Sequence, residues 1–357
     1  MNRLLFLGGI FAILSCNCKV QQDSNTSSKT NTTTSESTSI STSAGYENPI
    51  PYATTITSAE LKENLYIFAG DRFEGRDTGK RGQKMAVDFL RDKYRKMAVP
   101  SPMGGDDYYQ RIPSSFLGGG MESSENVLAY IEGSEKPEEV IVISAHLDHL
   151  GKTKLGQVFN GADDDGSGNV AILEIAEAFR AAQKNNLGPK RSILFLHVTG
   201  EERGLLGSKY YVENPVFPLE NTVANLNIDM IGRIDPNHKD NPDYVYLIGS
   251  DKLSKELHQV SEKTNDEYVK IDLDYTYNDE NDPNRFYYRS DHYNFAKNNV
   301  PVIFYFNGTH EDYHRASDTP DKIEYDLLEK RTKLIFHTAW EIANRPDRLQ
   351  LNNSGSN

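Results

Sequence analysis

Five short runs of nearly continuous apolar residues punctuate the chain from residue 140 onward: VIVISAH (140–146), SILFLHV (192–198), VANLNID (223–229), YVYLIG (244–249) and VIFYFN (302–307). Runs of that length without polar alternation suit strands buried on both faces, as parallel sheets require. Helical spacing separates and flanks them. SAELKENLYIFAG reads as a capped helix with Ser58 as N-cap and Leu61, Leu65 and Phe68 on one face. Ala86, Phe89, Leu90 and Tyr94 recur at helical spacing in GKRGQKMAVDFLRDKYRKMAV. NVAILEIAEAFRAAQ turns Ile172, Ile175, Ala176 and Phe179 inward, and LLEKRTKLIFHTAWEIA closes the pattern. Strands alternating with helices predict an α/β fold: a single open, mostly parallel sheet flanked by helices on both faces. No internal repeat and no second break in composition interrupts it. One domain is therefore expected over residues 46–351, with a disordered tail at 352–357.

The N-terminus follows another pattern. MNRLLFLGGIFAILSC carries one Arg and an apolar run from Leu4 to Leu14, too short to span a bilayer and suited to a signal peptide over residues 1–15. Its end, Ile13-Leu14-Ser15-Cys16, resembles a bacterial lipobox with Cys16 as the lipidated residue, although Leu14 is larger than usual there; Cys18 fits worse. From Ser24 to Ser43, 15 of 20 residues are Ser or Thr. Such a segment buries no core and reads as a flexible tether over residues 16–45. An exported protein, anchored to a bacterial membrane by lipid or else secreted, is the expectation.

Composition then narrows the chemistry. With 52 Asp and Glu against 39 Lys and Arg, the formal charge is −13, which disfavours nucleic acid because a polyanion needs a basic face. Both cysteines lie at the N-terminus, so the folded part has no disulfide and no thiolate metal site. Any transition metal must be held by imidazole and carboxylate.

Those groups collect where the apolar runs end. The first run ends in His146-Leu147-Asp148-His149, the second leads into Gly200-Glu201-Glu202, the third ends in Asp229, and the last opens into NGTHEDYHRASDT. Between the first two, GADDDGSG (161–168) places three carboxylates at the start of the main helix, where the helix dipole favours negative charge. In open α/β sheets ligands bind beyond the carboxyl ends of the strands. Singly, a His at a strand end is a structural residue and three Asp mark a turn or a cap. Jointly, acids and imidazoles directly after the most hydrophobic runs point to a cation site.

Six segments, SAHLDHLG, GADDDGSG, TGEERGLLGS, NLNIDMIG, YYRSDHYNFA and YHRASDTPDKI, occur in an order that resembles the double-zinc aminopeptidases, exopeptidases related to glutamate carboxypeptidase and glutaminyl cyclase. The likeness runs from about Ser58 to Trp340 and looks nearest to secreted bacterial members. It implies two zinc ions per chain and peptide substrates. His146 and Asp229 would hold one ion, Glu202 and His314 the other, and Asp164 would bridge them, with a cis peptide after it. The same resemblance implies Glu201 as general base, Asp148 as the carboxylate orienting the His146 imidazole, and Tyr287 as a tyrosine steadying the oxyanion, with Tyr288 its rival. A shared water, acidified by the two cations, would attack the scissile carbonyl.

The remaining histidines have bland readings. His197 lies within a strand and reads as core; His149 and His292 read as neighbours of the ligands; His310 is a decoy four residues before His314; His238, His258 and His337 have no companions. Asp279, Glu280 and Asp282 offer acids on a polar loop near Tyr287 for a free α-amine. Arg233, Arg289 and Arg315 keep a carboxypeptidase open, and a one-zinc glutaminyl-peptide cyclotransferase is a second alternative. The spacing from Met97 to Val140 is too short for an inserted lid domain. Oligomeric state is not legible.

Overall fold

The computed structural model describes residues 48–352; the expected signal peptide, the tether and residues 353–357 lie outside the described residues. In chain order the strands are β1 (Tyr109–Ile112), β2 (Ser124–Ile131), β3 (Lys136–His146), β4 (Arg191–Val198), β5 (Thr222–Ile228), β6 (Tyr244–Ile248), β7 (Asp272–Asp274) and β8 (Val302–Phe306). They form one sheet in the order β1-β2-β4-β3-β5-β8-β6-β7. All five apolar runs are strands.

The sheet is open and mixed with a parallel majority, as four of its seven strand pairings are parallel. β4, β3, β5 and β8 run parallel, as do β6 and β7. β1 on β2, β2 on β4 and β6 on β8 are antiparallel. An apolar run reports burial on both faces but carries no direction, so β6 could not be oriented from its residues. The parallel centre matters for function. It brings the carboxyl ends of β3, β4, β5 and β8, and the segments that follow them, to one rim.

The helices are α1 (Ile50–Ala53), α2 (Ser58–Phe68), α3 (Arg81–Met97), α4 (Ser114–Leu117), α5 (Gly168–Lys184), α6 (Leu206–Glu213), α7 (Lys255–Thr264), α8 (His292–Ala296) and α9 (Tyr325–Asn344). Alternate residues of β3 divide the core between two layers. Ile141, Ile143 and Ala145 pack with Leu65 of α2, Phe179 of α5 and Phe336 of α9. Val140 and Val142 pack with Tyr211 of α6 and Phe295 of α8. Phe179 is the centre of the first layer, its ring 5.0 Å from Phe336 and 5.6 Å from Trp340. The α2 cap is Thr57, not Ser58: the Thr57 side chain accepts from the Glu60 amide at 3.2 Å. The Ser58 amide is instead taken by the Glu329 carboxylate of α9, which fixes the start of the helix.

One acid interrupts the buried face of α5. Glu174 is 3% exposed and accepts from Asn64 Nδ2 at 3.2 Å. Burial, with the charges of Glu60 and Glu177 added, pushes its pKa up to about 8. The unfolded chain loses this proton in the ordinary carboxylate range, whereas the folded chain keeps it until about pH 8. Stability should therefore fall as pH rises between those limits. Glu174→Gln should flatten that slope in urea unfolding and gain on the order of 1–3 kcal/mol at pH 8; an unchanged slope would discount the buried acid.

Candidate metal centre

The three adjacent acids point in three directions because the backbone around them is not a regular helix. Gly161 enters at φ +55°, and a Cβ there would lie 2.2 Å from the Asp164 carbonyl; only glycine accepts both demands. A Cβ on Gly168 would lie 2.5 Å from Asp165 Oδ1. The Asp164–Asp165 peptide is cis, as the resemblance implied. Asp163 Oδ1 accepts from the Gly232 amide at 2.6 Å, and its Oδ2 lies 3.1 Å from His310 Nε2. Asp165 accepts from three amides: His146 and Met230 at 3.1 Å and Gly168 at 3.0 Å. These two acids bind the strand ends together.

Asp164 is left facing two imidazoles. Its Oδ1 lies 3.1 Å from His146 Nε2 and its Oδ2 lies 3.2 Å from His314 Nε2. His146 Nε2 is also 3.5 Å from Asp229 Oδ1, and His314 Nε2 is 3.3 Å from Glu202 Oε2. The five residues expected as ligands are thus gathered into two clusters that share one carboxylate. His146 Nδ1 lies 3.0 Å from the Asp148 carbonyl; an N–H donated there turns the Nε2 lone pair toward Asp164 and Asp229.

The donor set fits zinc. Ligand atoms at about 2.0–2.1 Å around a tetrahedral ion stand about 3.3 Å from one another, and the four contacts above span 3.1–3.5 Å. Asp164 Oδ2, Glu202 Oε1 and both ring nitrogens of His149 are buried without an aligned hydrogen bond, although His314 Nε2 stands 3.2 Å from the first and His149 Nδ1 stands 2.9 Å from the second; close but misaligned donors and acceptors suit shared ligation of a cation. The field agrees. Burial opposes charge on His146, yet Asp229, Glu201 and Asp164 hold its pKa well above the ordinary range. Burial likewise opposes charge on His314, and Asp164 and Glu202 carry it up to about 10. Both clusters favour a positive guest.

The other expected residues fall as follows. The Asp148 carboxylate stands 3.9 Å from His146 Nδ1; it accepts from Thr78 Oγ1 at 2.8 Å and from the Glu201 amide at 3.1 Å. Its backbone carbonyl, rather than its side chain, makes the contact with His146. Glu201 lines a pocket with Asp164, Asp229, Met230, Phe286, Arg289, Phe304, Phe306, Thr309, Tyr313 and His314. Burial, reinforced by Asp229, Asp291 and Glu202 against the pull of His146, pushes the Glu201 carboxyl well above its ordinary range. His310 is bound to Asp163, which removes it as a ligand. His197 is a core residue, held between Tyr94 OH at 2.6 Å and Asn169 Oδ1 at 2.7 Å.

Tyr287 is not among the residues lining this pocket; it lines a neighbouring groove with Lys252, Asp279, Glu280 and Asp282. Phe286–Tyr288 form one tight three-residue turn, so successive side chains fan out about 120° apart. Phe286 takes the pocket side, while Tyr287 packs on His292 and Tyr293. The tyrosine in the pocket is Tyr313, stacked on His314 with ring centroids 3.9 Å apart. The acids considered for an α-amine go with Tyr287 into the groove, and the Asp282 carboxylate is occupied by the Asn284 and Phe286 amides. Among the three arginines, Arg289 lines the pocket, whereas Arg233 is paired with Asp312 at 3.0 Å.

Several supporting residues received no role, or only that of a neighbour, from the sequence. Arg76 is fully buried and donates to the carbonyls of Leu147, Asn160, Gly161 and Phe68. Asp318 accepts from the Asp163 and Asp164 amides at 3.0–3.1 Å. His149 Nδ1 approaches Glu202 Oε1 to 2.9 Å and adds a second imidazole to the second cluster.

The model of Peptidase family M28 matches residues 126–339. A probable leucine aminopeptidase of Trichophyton verrucosum is 26% identical over 310 residues, covering 82% of this chain and 77% of that protein. A probable zinc metalloprotease of Pyrenophora teres f. teres is 26% identical over 74% of this chain, which spans 62% of that relative's length. Among solved structures, the LapA aminopeptidase of Legionella pneumophila is similar with TM-score 0.65 at 23% identity, covering 86% of this chain and 79% of that one. A glutaminyl cyclase of Bacteroides thetaiotaomicron, bound to N-acetylhistamine, is similar with TM-score 0.62 at 16% identity, covering 80% and 98%. At these identities the structural likenesses establish the fold.

A buried polar relay steadies the first cluster from behind. Ser290 Oγ donates to Asp229 Oδ2 at 2.7 Å and accepts from Asn227 Nδ2 at 2.9 Å. Ser144 Oγ donates to Asn227 Oδ1 at 2.7 Å. Asp229 Oδ1 is thereby turned to His146. Ser290→Ala should cost about 1–3 kcal/mol of stability, since two buried groups lose their partner. It should also weaken metal retention roughly tenfold, read by competition with a chelator; wild-type retention would remove Ser290 from the support of Asp229.

Proposed function

The chain belongs to peptidase family M28, and from that membership we propose that it is a zinc-dependent aminopeptidase that removes N-terminal residues from peptides. The observation that carries the two-metal form of this reading is the position of Asp164, with one oxygen toward each imidazole and a separate carboxylate, Asp229 or Glu202, completing each cluster. His146 and Asp229 would hold one zinc, Glu202 and His314 the other, and Asp164 both. When bound, the two ions supply an activated water and positive charge for the carbonyl oxygen.

The rest is work for the chain's own residues. Glu201 lines the same pocket as Asp164, Asp229 and His314, so its carboxylate stands where it can take the attacking water's proton and return it to the departing amine. Asp148 holds the Glu201 backbone through the amide and is itself held by Thr78, which fixes the base relative to His146. Tyr313, on His314, is the phenol in reach of the pocket for charge developing on the carbonyl oxygen. Phe286, Phe304, Phe306 and Met230 give the occupant an apolar wall that excludes water. Export, with lipid attachment through Cys16, belongs to the same reading and places the activity outside the cytoplasm.

A cyclotransferase of the same fold is the second reading, favoured only by the shared architecture. Zinc content and turnover separate the two. Purified protein should hold about two zinc ions per chain and hydrolyse leucine anilide, with loss of turnover in chelator. Glu201→Gln should retain both ions and lose turnover by a factor of about 10²–10⁴; His314→Ala should retain about one ion. One tightly held zinc in the wild type, with cyclisation of N-terminal glutamine and no hydrolysis, would overturn the aminopeptidase reading.

A further inference from the structure

Arg289 is the one guanidinium lining the pocket that Glu201 shares. Arg233 is paired with Asp312, Arg203 with Asp77, and Arg76 and Arg331 are spent on backbone carbonyls. Arg289 has no carboxylate in ion-pair reach among the described residues. Its guanidinium lies over the Phe286 ring at 4.9 Å from the centroid and makes one long hydrogen bond, 3.4 Å, to Tyr313 OH. Phe286 and Tyr313 are themselves pocket residues, so the stacking fixes the plane of the fork while leaving most of its donors open.

The side chain is exposed at a pocket walled by Phe286, Phe304 and Phe306. We propose that Arg289 reads a carboxylate on the substrate. Resting on the aminopeptidase reading, this names the substrate class as peptides that bring a negative charge close to the scissile bond. That carboxylate has two sources: an acidic side chain on the residue being removed, or the free C-terminus of a dipeptide. A planar fork beside an aromatic wall binds either by two parallel charge-assisted hydrogen bonds. The pocket's other charged side chains, Asp164, Glu201, Asp229 and His314, belong to the metal centre, so Arg289 alone is free for the anion.

The test compares isosteric pairs on zinc-loaded protein: glutamyl against glutaminyl anilide for the side chain, and Leu-Gly against Leu-Gly-amide for the C-terminus. In the wild type one charged member should have kcat/KM higher by about tenfold or more. In Arg289→Gln that ratio should collapse toward one. Calorimetric binding of the same pairs to both proteins adds a readout that needs no turnover, and thermal unfolding checks that the exposed substitution leaves the fold intact. Ratios within twofold on both arms of the wild type, or ratios unchanged in Arg289→Gln, overturn the proposal while the peptidase reading stands. If no peptide is cleaved, the peptidase reading fails, and binding decides Arg289: discrimination lost in the variant supports it, and equal or absent binding overturns it.

Discussion

Three neighbouring carboxylates withdrawn from water repel one another by about 4 kcal/mol per pair at 4 Å, even at an effective dielectric constant near 20. The site is built around that repulsion. Asp163 is answered by the Gly232 amide and His310, and Asp165 by three amides. Asp164 receives only the approach of imidazoles, so the demand for positive charge is concentrated on it. Arg76 supplies a fixed part of the answer. Burial draws its pKa down to about 10, yet the charges of Asp164, Asp318, Asp165 and Asp148 favour its cation. Its hydrogen bonds go to backbone carbonyls, so it neutralises the site without occupying any ligand atom.

The same guanidinium solves a mechanical problem. The ligands come from segments far apart in sequence, and each follows a strand whose direction is set by the parallel centre of the sheet. Strand ends alone would leave the connecting loops free to shift by more than a zinc ligand tolerates. Arg76 joins the segment after β3 to the turn before α5 through Leu147 and Gly161. Asp318 pins that turn from the last loop through two amides. Asn169 reaches both the His146 and Asp165 carbonyls. Geometry good to a fraction of an ångström is thus a property of buried side-chain to backbone bonds.

That division explains what the sequence could disclose. Strands buried on both faces and long amphipathic helices leave a periodic trace, so β3, β4, β5, β8, α5 and α9 were legible. β1 and β7 were not, because short edge strands mix polar with apolar residues; β2, interior and eight residues long, was not because Ser124, Glu125 and Asn126 break its apolar run. The gathered ligands were legible because the motifs reach them in order. Arg76 left no trace, and Asp318, though inside YHRASDTPDKI, was given no role: their partners are backbone atoms, which every residue carries. Tyr287 lines the groove and Phe286 the pocket since adjacent positions in a tight turn face directions about 120° apart, and neighbouring aromatics in sequence do not say which faces the pocket.

Fold likeness extends to aminopeptidases and to a glutaminyl cyclase alike, so architecture cannot decide the number of cations. Asp164 Oδ2 and Glu202 Oε1 are buried without an aligned hydrogen bond, each approached by an imidazole instead: His314 at 3.2 Å and His149 at 2.9 Å. A second ion would find Glu202, His314 and the far oxygen of Asp164 already gathered. That ready-made donor set, more than any likeness of fold, is the ground on which the two-metal proposal stands.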